Sequence, residues 1–271
     1  IDHAYLKIIP VSGYGSPELI RHVMATEKPD AILHYTDPRF WEYLYQMEHE
    51  IRQEIPIFYY NIWDDLPYPM WNEPFYESCD LIMNISKQTV NIVDNVRQNV
   101  PTNEWDNTYV PHGINEKNFY PVNELDIKEW GDLLQFKRNV VQDREYDFIV
   151  FWNNRNIRRK LPGDVIMAYK TFCDMLPEDK AKRCALIMHT QPKDSNGTDL
   201  PEVVKHVCPD YDVIFSHKKL SDKELCYLYN IADITINMAS NEGFGLGSCE
   251  ALSVGTPIVV NVTGGLQDQC G

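Results

Sequence analysis

The sequence predicts an α/β protein made of two parallel, doubly wound sheets in tandem. Two observations carry this. Short apolar runs of strand length alternate with helix-length segments through most of the chain, and many of these runs are apolar throughout, as in strands buried on both faces. The alternation also breaks once, over a polar, weakly periodic stretch near 115–145, and then restarts.

In order, Ala31-Ile32-Leu33-His34-Tyr35 is a first strand, followed by a helical segment over about 38–51. Ile57-Phe58-Tyr59-Tyr60 and Asp80-Leu81-Ile82-Met83-Asn84 are the next strands. Ser86 caps a helix expected to run to about Val100, and Tyr109-Val110-Pro111-His112-Gly113 ends a strand at a glycine turn. After the break, strands are expected at 148–151, 184–189, 212–215, 234–237 and 257–260. Helices are expected at 164–176, 222–230 and 245–254. The expected division is a domain over 1–120, a connector carrying a helix over 121–145, and a second domain over 146–271. The chain begins at Ile1 and stops at Gly271 just after a turn, so both domains are expected to be incomplete.

Composition narrows the function classes. The 271 residues are 44% hydrophobic and 24% charged, ordinary globular values. Lys plus Arg is 25 against 40 for Asp plus Glu, a formal charge of −15, which argues against nucleic acid as a partner. Membrane association is left open. The seven cysteines show no paired spacing, and a reducing, cytoplasmic compartment is expected. The sequons at Asn84, Asn196 and Asn261 read as chance matches. The histidines lack ligand spacing, so no metal or cofactor is expected.

In an open parallel sheet, ligands bind beyond the carboxyl ends of the strands. Three signals fall there. Arg155, Arg158, Arg159 and Lys160 crowd one loop of an acidic chain, and Arg forks with a Lys point charge suit a diphosphate. A solvated basic loop is the competing reading. Glu242-Gly243-Phe244-Gly245-Leu246-Gly247-Ser248-Cys249-Glu250 lies between a strand and a helix, where glycines let backbone N–H groups approach an anion. Its carboxylates, eight positions apart, span at most roughly 12 Å along a helix axis, which suits gripping hydroxyls at both ends of a bound diphosphate. As a dinucleotide fingerprint the loop fails, because Ser248 stands where glycine is needed. Thr263-Gly264-Gly265 is a third turn at the same edge, and alone it is only a turn. Asp210-Tyr211-Asp212 matches a metal-holding D-x-D pattern but precedes a strand, so it is read as structural. Asp64-Asp65 could line a site or cap a turn before Pro67.

Residues 220–265 resemble a known family. Leu220-Ser221-Asp222-Lys223-Glu224-Leu225, Ile231-Ala232-Asp233, Ser240-Asn241-Glu242-Gly243-Phe244-Gly245-Leu246, Glu250-Ala251-Leu252 and Gly255-Thr256-Pro257-Ile258-Val259 are similar to the donor half of retaining glycosyltransferases of family four. Arg155 and Lys160 match that family's phosphate-binding pair, and Val110-Pro111-His112-Gly113-Ile114 with Phe119 resembles the end of its first domain, with His112 replacing asparagine. The resemblance implies the GT-B fold, two Rossmann-like domains facing a cleft. It further implies a retaining, metal-independent enzyme that moves a hexose from a nucleotide-diphosphate sugar to a glycan, lipid or other hydroxyl acceptor.

The roles it implies follow position by position. Arg155 and Lys160 would neutralise the diphosphate, and the amides of Gly243, Phe244, Gly245, Leu246 and Gly247 would hold sugar and distal phosphate. Glu242 would bond a sugar hydroxyl without acting as a nucleophile, and Glu250 would take the ribose hydroxyls. The base would lie near Ser216, His217 and Lys218. The sequence departs from the family where Asn61-Ile62-Trp63-Asp64 replaces a histidine segment, which leaves Asp64, with His112, as the acceptor-side candidates. Alternatives are a non-catalytic GT-B domain binding nucleotide or a protein partner, a sugar-nucleotide epimerase, and, from the Thr263–Asp268 turn, glucan synthesis of the glycogen or starch synthase kind.

Overall fold

The computed structural model describes residues 2–3, 5–98 and 106–270. By internal contacts the chain divides into two compact units, Ile1–Pro111 and His112–Gly271.

In the first unit, a two-residue antiparallel pair, β1 (Asp2–His3) and β2 (Leu6–Lys7), precedes a parallel sheet of β3 (Ile32–Tyr35), β4 (Ile57–Asn61), β5 (Leu81–Asn84) and β6 (Asn107–Tyr109). Their spatial order is β3-β4-β5-β6, so each crossover among the described strands steps the same way. The core joins Leu44, Ile51, Ile57, Tyr59, Tyr76, Ile82, Ile92 and Val96. Inside the sheet, Asn61, Asn84 and Asn107 are buried on three adjacent strands. The Asn61 carboxamide donates to Asn84 Oδ1 at 3.1 Å, Asn84 donates in turn to Asn107, and Asn107 donates to Asp94 at 2.8 Å. The sequon asparagine Asn84 is therefore sealed in the sheet.

Several expectations shift in detail. The helix expected over 38–51 is three pieces, a 3-10 turn Pro38–Trp41 and helices Glu42–Gln46 and Glu48–Ile51, because Met47 (φ −90°, ψ 3°) leaves the helical region. Ser86 does cap its helix: its hydroxyl accepts the Thr89 N–H at 3.1 Å, and the helix spans Lys87–Val96. The helix stops short of the expected Val100, with Arg97 (φ −90°, ψ 27°) at its C-cap; residues 99–100 lie outside the described residues. A helix at Pro17–Glu27, capped by Ser16 and with proline in its first turn, was not anticipated.

The second unit is a parallel sheet of β7 (Phe148–Asn153), β8 (Cys184–His189), β9 (Asp212–Ser216), β10 (Ile234–Asn237) and β11 (Ile258–Val260), in the order β11-β10-β7-β8-β9. The chain fills one side of β7 with β8 and β9, then returns to fill the other with β10 and β11. Helices Pro162–Asp174 and Leu200–Val207 cover one face, over Val150, Trp152, Leu186 and Met188. Helices Asp222–Ile231 and Leu246–Ser253 cover the other, over Ile149, Phe151, Ala185 and Ile187. The first of these opens with a capping box between Ser221 and Glu224.

The polar stretch read as a connector packs into this second core. Its helix, Ile127–Val141, buries Leu133 and Val141, and Phe119 sits at 6.1 Å from the Tyr229 ring. Asp212 of the D-x-D match anchors this joint, accepting from Arg144 at 2.6 Å and from the Tyr146 hydroxyl at 2.8 Å.

Candidate functional site: the carboxyl ends of β7 and β10

The strand order puts the topological switch between β7 and β10, where successive crossovers leave in opposite directions and open a crevice beyond the strand ends. Both chemistry-bearing loops of the second unit emerge there. The cationic loop follows Asn153 of β7, and the glycine-rich loop follows Asn237 of β10.

The two loops close on each other through charge. Lys160, 7% exposed on the 3-10 turn Arg158–Lys160, forms an ion pair with Glu242, itself 8% exposed. Arg159 approaches the same carboxylate at 3.4 Å and donates to the Asn241 carbonyl at 2.6 Å. The backbone N–H of Ser240 donates to the Arg159 carbonyl at 2.8 Å. A buried carboxylate is tolerable only when paired in this way.

The second carboxylate is held from below. The Tyr229 hydroxyl, on a fully buried side chain, donates to Glu250 at 2.7 Å and accepts from the Asn153 carboxamide at 2.8 Å. Burial raises the Glu250 pKa above the ordinary carboxylate value, the Tyr229 bond lowers it, and Asp222 raises it.

The glycines have assigned work. Gly245 stands at φ 87° before the helix Leu246–Ser253, in the left-handed region that favours glycine. A Cβ at Gly247 would lie 3.1 Å from the Tyr229 hydroxyl and 3.4 Å from the Asn153 carbonyl, so the loop seats directly on the group that holds Glu250. The turn at 263–265 is a buttress. A Cβ on Gly264 would stand 1.8 Å from the Glu242 carbonyl oxygen, and one on Gly265 would be 2.5 Å from that of Gly243. The Gly265 N–H donates to the Glu242 carbonyl at 3.0 Å. The helix beyond, Gly264–Cys270, sends the Gln269 carboxamide to the Phe244 carbonyl.

Of the residues expected from sequence, the structure therefore brings together Lys160, Glu242, Gly243 to Gly247 and, through Tyr229, Glu250. His112 joins them, its ring edge-on to Phe244 at 5.5 Å, with burial lowering its pKa. Arg155 stands apart from Glu242: its Nε donates to Asp194 at 3.0 Å and its side chain is 62% exposed. Ser216 ends β9, where its hydroxyl bonds His189 Nδ1 at 2.9 Å, and with His217 and Lys218 it lines a cavity of about 350 Å³. Asp64 belongs to the first unit, in the loop after β4, where Asn61 Oδ1 accepts the Trp63 N–H. Among the described residues, no group of three or more His, Cys, Asp or Glu side chains is arranged to hold a metal, and no helix is long and apolar enough to cross a membrane.

Tyr229, Asn153 and Asp194 were not singled out in the sequence. Their partners lie 21 to 76 positions away, so no local pattern points to them.

By fold, the chain is GT-B: it matches the crystal structure of Anabaena HepE in complex with UDP and glucose with a TM-score of 0.71, at 14% identity, over 94% of this chain and 66% of that one. It also matches sucrose-phosphate synthase from Thermosynechococcus elongatus, with a TM-score of 0.67 at 17% identity, over 93% of this chain and 60% of that one. Residues 211–271 match the family described as Glycosyl transferases group 1. A curated relative, D-inositol 3-phosphate glycosyltransferase of Xylanimonas cellulosilytica, is 35% identical over 66 residues, which are 24% of this chain and 16% of the relative. The chain thus spans less than two thirds of the length of the curated relative and of the structures named here.

Proposed function

We propose that the protein is a retaining glycosyltransferase that moves a hexose from a nucleotide-diphosphate sugar to a hydroxyl acceptor, without a metal. The observation that carries this reading is the meeting of Lys160 and Glu242 at the switch point, beside a second carboxylate fixed by Tyr229. Lys160 supplies positive charge where the departing diphosphate accumulates negative charge, and this stabilises the transition state. Arg155 adds to it. Glu242 orients a sugar hydroxyl, the amides of 243–247 hold sugar and distal phosphate, and Glu250 holds the ribose. Ser216 and His217 flank the base. The leaving phosphate takes the acceptor proton, so the anomeric configuration is kept without a protein nucleophile. His112 and Asp64 are proposed on the acceptor side. The Anabaena relative was crystallised with UDP and glucose, which makes a uridine nucleotide the first donor to try.

The test is a thermal-shift titration of the chain with UDP, GDP, ADP and TDP, each with and without its sugar, in EDTA. A ligand at 100 to 1,000 times its Kd stabilises by about 3–4 kcal/mol. A shift with one nucleotide, lost in Lys160→Ala and Glu250→Ala, upholds the donor site. Absence of any shift turns the reading to a non-catalytic GT-B domain.

A further inference from the structure

The loops that follow β7 and β8 are stitched together at their bases. Asn156 is fully buried, and its carboxamide donates to the carbonyls of Gln191, Pro192 and Thr198 at 3.2, 3.3 and 2.7 Å, while its Oδ1 accepts the Thr198 N–H at 3.2 Å. The Arg158 N–H donates to the Asn196 carbonyl at 3.3 Å. The approach is close enough that a Cβ on Gly197 would lie 2.2 Å from the Asn156 carbonyl oxygen. One loop therefore fixes the other.

Asp194 rides on this fixed base. Its Oδ1 accepts the Asn196 N–H at 2.9 Å and its carbonyl accepts the Gly197 N–H at 3.0 Å, an Asx turn that sets the carboxylate's direction. Its other oxygen accepts from Arg155 Nε at 3.0 Å. The two partners differ in freedom: the Asp194 side chain is 13% exposed and that of Arg155 is 62% exposed. Asp194 is the anchored member, and Arg155 the movable arm.

We propose that Asp194 competes with the donor's diphosphate for Arg155, so that the guanidinium reaches the donor only by leaving an internal carboxylate. The inference rests on the donor-site reading above. A diphosphate carries more charge than a carboxylate and matches the guanidinium fork, so it wins the exchange at the cost of the resident pair.

The experiment is calorimetric titration of the nucleoside diphosphate that binds best into four proteins: wild type, Asp194→Asn, Arg155→Gln and the double variant. Asparagine keeps the oxygen that closes the turn, and Asp194→Ser, which also favours such turns, is the second variant should Asp194→Asn fold poorly. The expected result is a two- to fivefold tighter Kd in Asp194→Asn, about the worth of one exposed ion pair. Arg155→Gln binds more weakly, and the double variant matches Arg155→Gln because nothing is left to release. Weaker or unchanged binding in Asp194→Asn overturns the proposal, since Asp194 would then support Arg155 or be idle. Equal tightening with and without Arg155 also overturns it, by reducing the effect to simple charge repulsion. Failure of the wild type to bind any nucleoside diphosphate defeats the donor-site reading instead, and this proposal with it.

Discussion

The two units are built from the same parts and differ in one topological respect. In the first, β3 to β6 follow one another across the sheet, and the polar groups buried there serve each other: three asparagines relay hydrogen bonds from strand to strand. In the second, the chain doubles back at β7, and the polar groups at the break, Lys160, Glu242 and Glu250, come to the strand ends from loops more than eighty residues apart in sequence. A parallel sheet that runs one way buries its polar residues as structure. One that reverses leaves a gap in which they can meet a ligand.

The comparison can be broken or sharpened by mutation. Glu242→Gln is expected to have the largest effect. It removes the buried carboxylate that pairs with the buried Lys160 ammonium, which costs about 3–5 kcal/mol of stability. It is also expected to lower transfer by at least about 100-fold. Chemical denaturation and an initial-rate assay read the two separately. Gly264→Ala is next. With φ 47° and the Glu242 carbonyl in the way, the substitution is expected to cost about 3 kcal/mol and to weaken nucleotide binding. Gly113→Ala, with no atom within 4 Å of the added Cβ, is the control, and its melting temperature should stay within a degree or two.

The first unit should reveal itself by acid. His34 is 3% exposed, stacked on Tyr59 and within hydrogen-bond distance of the Tyr45 hydroxyl, and burial pushes its pKa down to about 4 from 6.5. The unfolded chain takes up a proton that the folded one refuses, so stability falls as pH drops from 6.5 to about 4, by about 3 kcal/mol. Hydrogen exchange across 32–61 against pH reads this, and loss of protection should begin in the first unit. Glu250, in the second unit, contributes with the opposite slope. Glu250 is raised by burial, so the folded state holds its proton longer, and the group's contribution is present below the ordinary carboxylate value and is lost as pH rises through the folded value. Glu250→Gln should flatten that fall.

Tyr229→Phe is expected to cost about 1–2 kcal/mol, because one hydroxyl serves both Asn153 and Glu250. It should raise the Glu250 pKa further and weaken nucleotide binding more than melting temperature suggests.

The strands were legible because apolar runs such as 184–189 have few other uses, and the glycine-rich loop because its residue types are costly elsewhere. The helices Pro17–Glu27 and Leu200–Val207 went unread although Ser16-Pro17 and Asp199-Leu200-Pro201 carry the cap and first-turn proline that mark a start. The helix Ile127–Val141 looked like a connector because its weak periodicity hides Leu133 and Val141, which tertiary packing buries. In the site, Glu242 and Lys160 were readable as residue types. Their pairing with each other, and that of Arg155 with Asp194, depends on strand order, which no window of sequence contains.

The most direct test of the account is hydrogen–deuterium exchange on the whole chain with and without the nucleotide sugar that shifts its melting temperature. Binding at the switch point predicts new protection in 153–160 and 242–250, with β3 to β6 unchanged. Protection confined to the first unit, or none near β7 and β10, would contradict it.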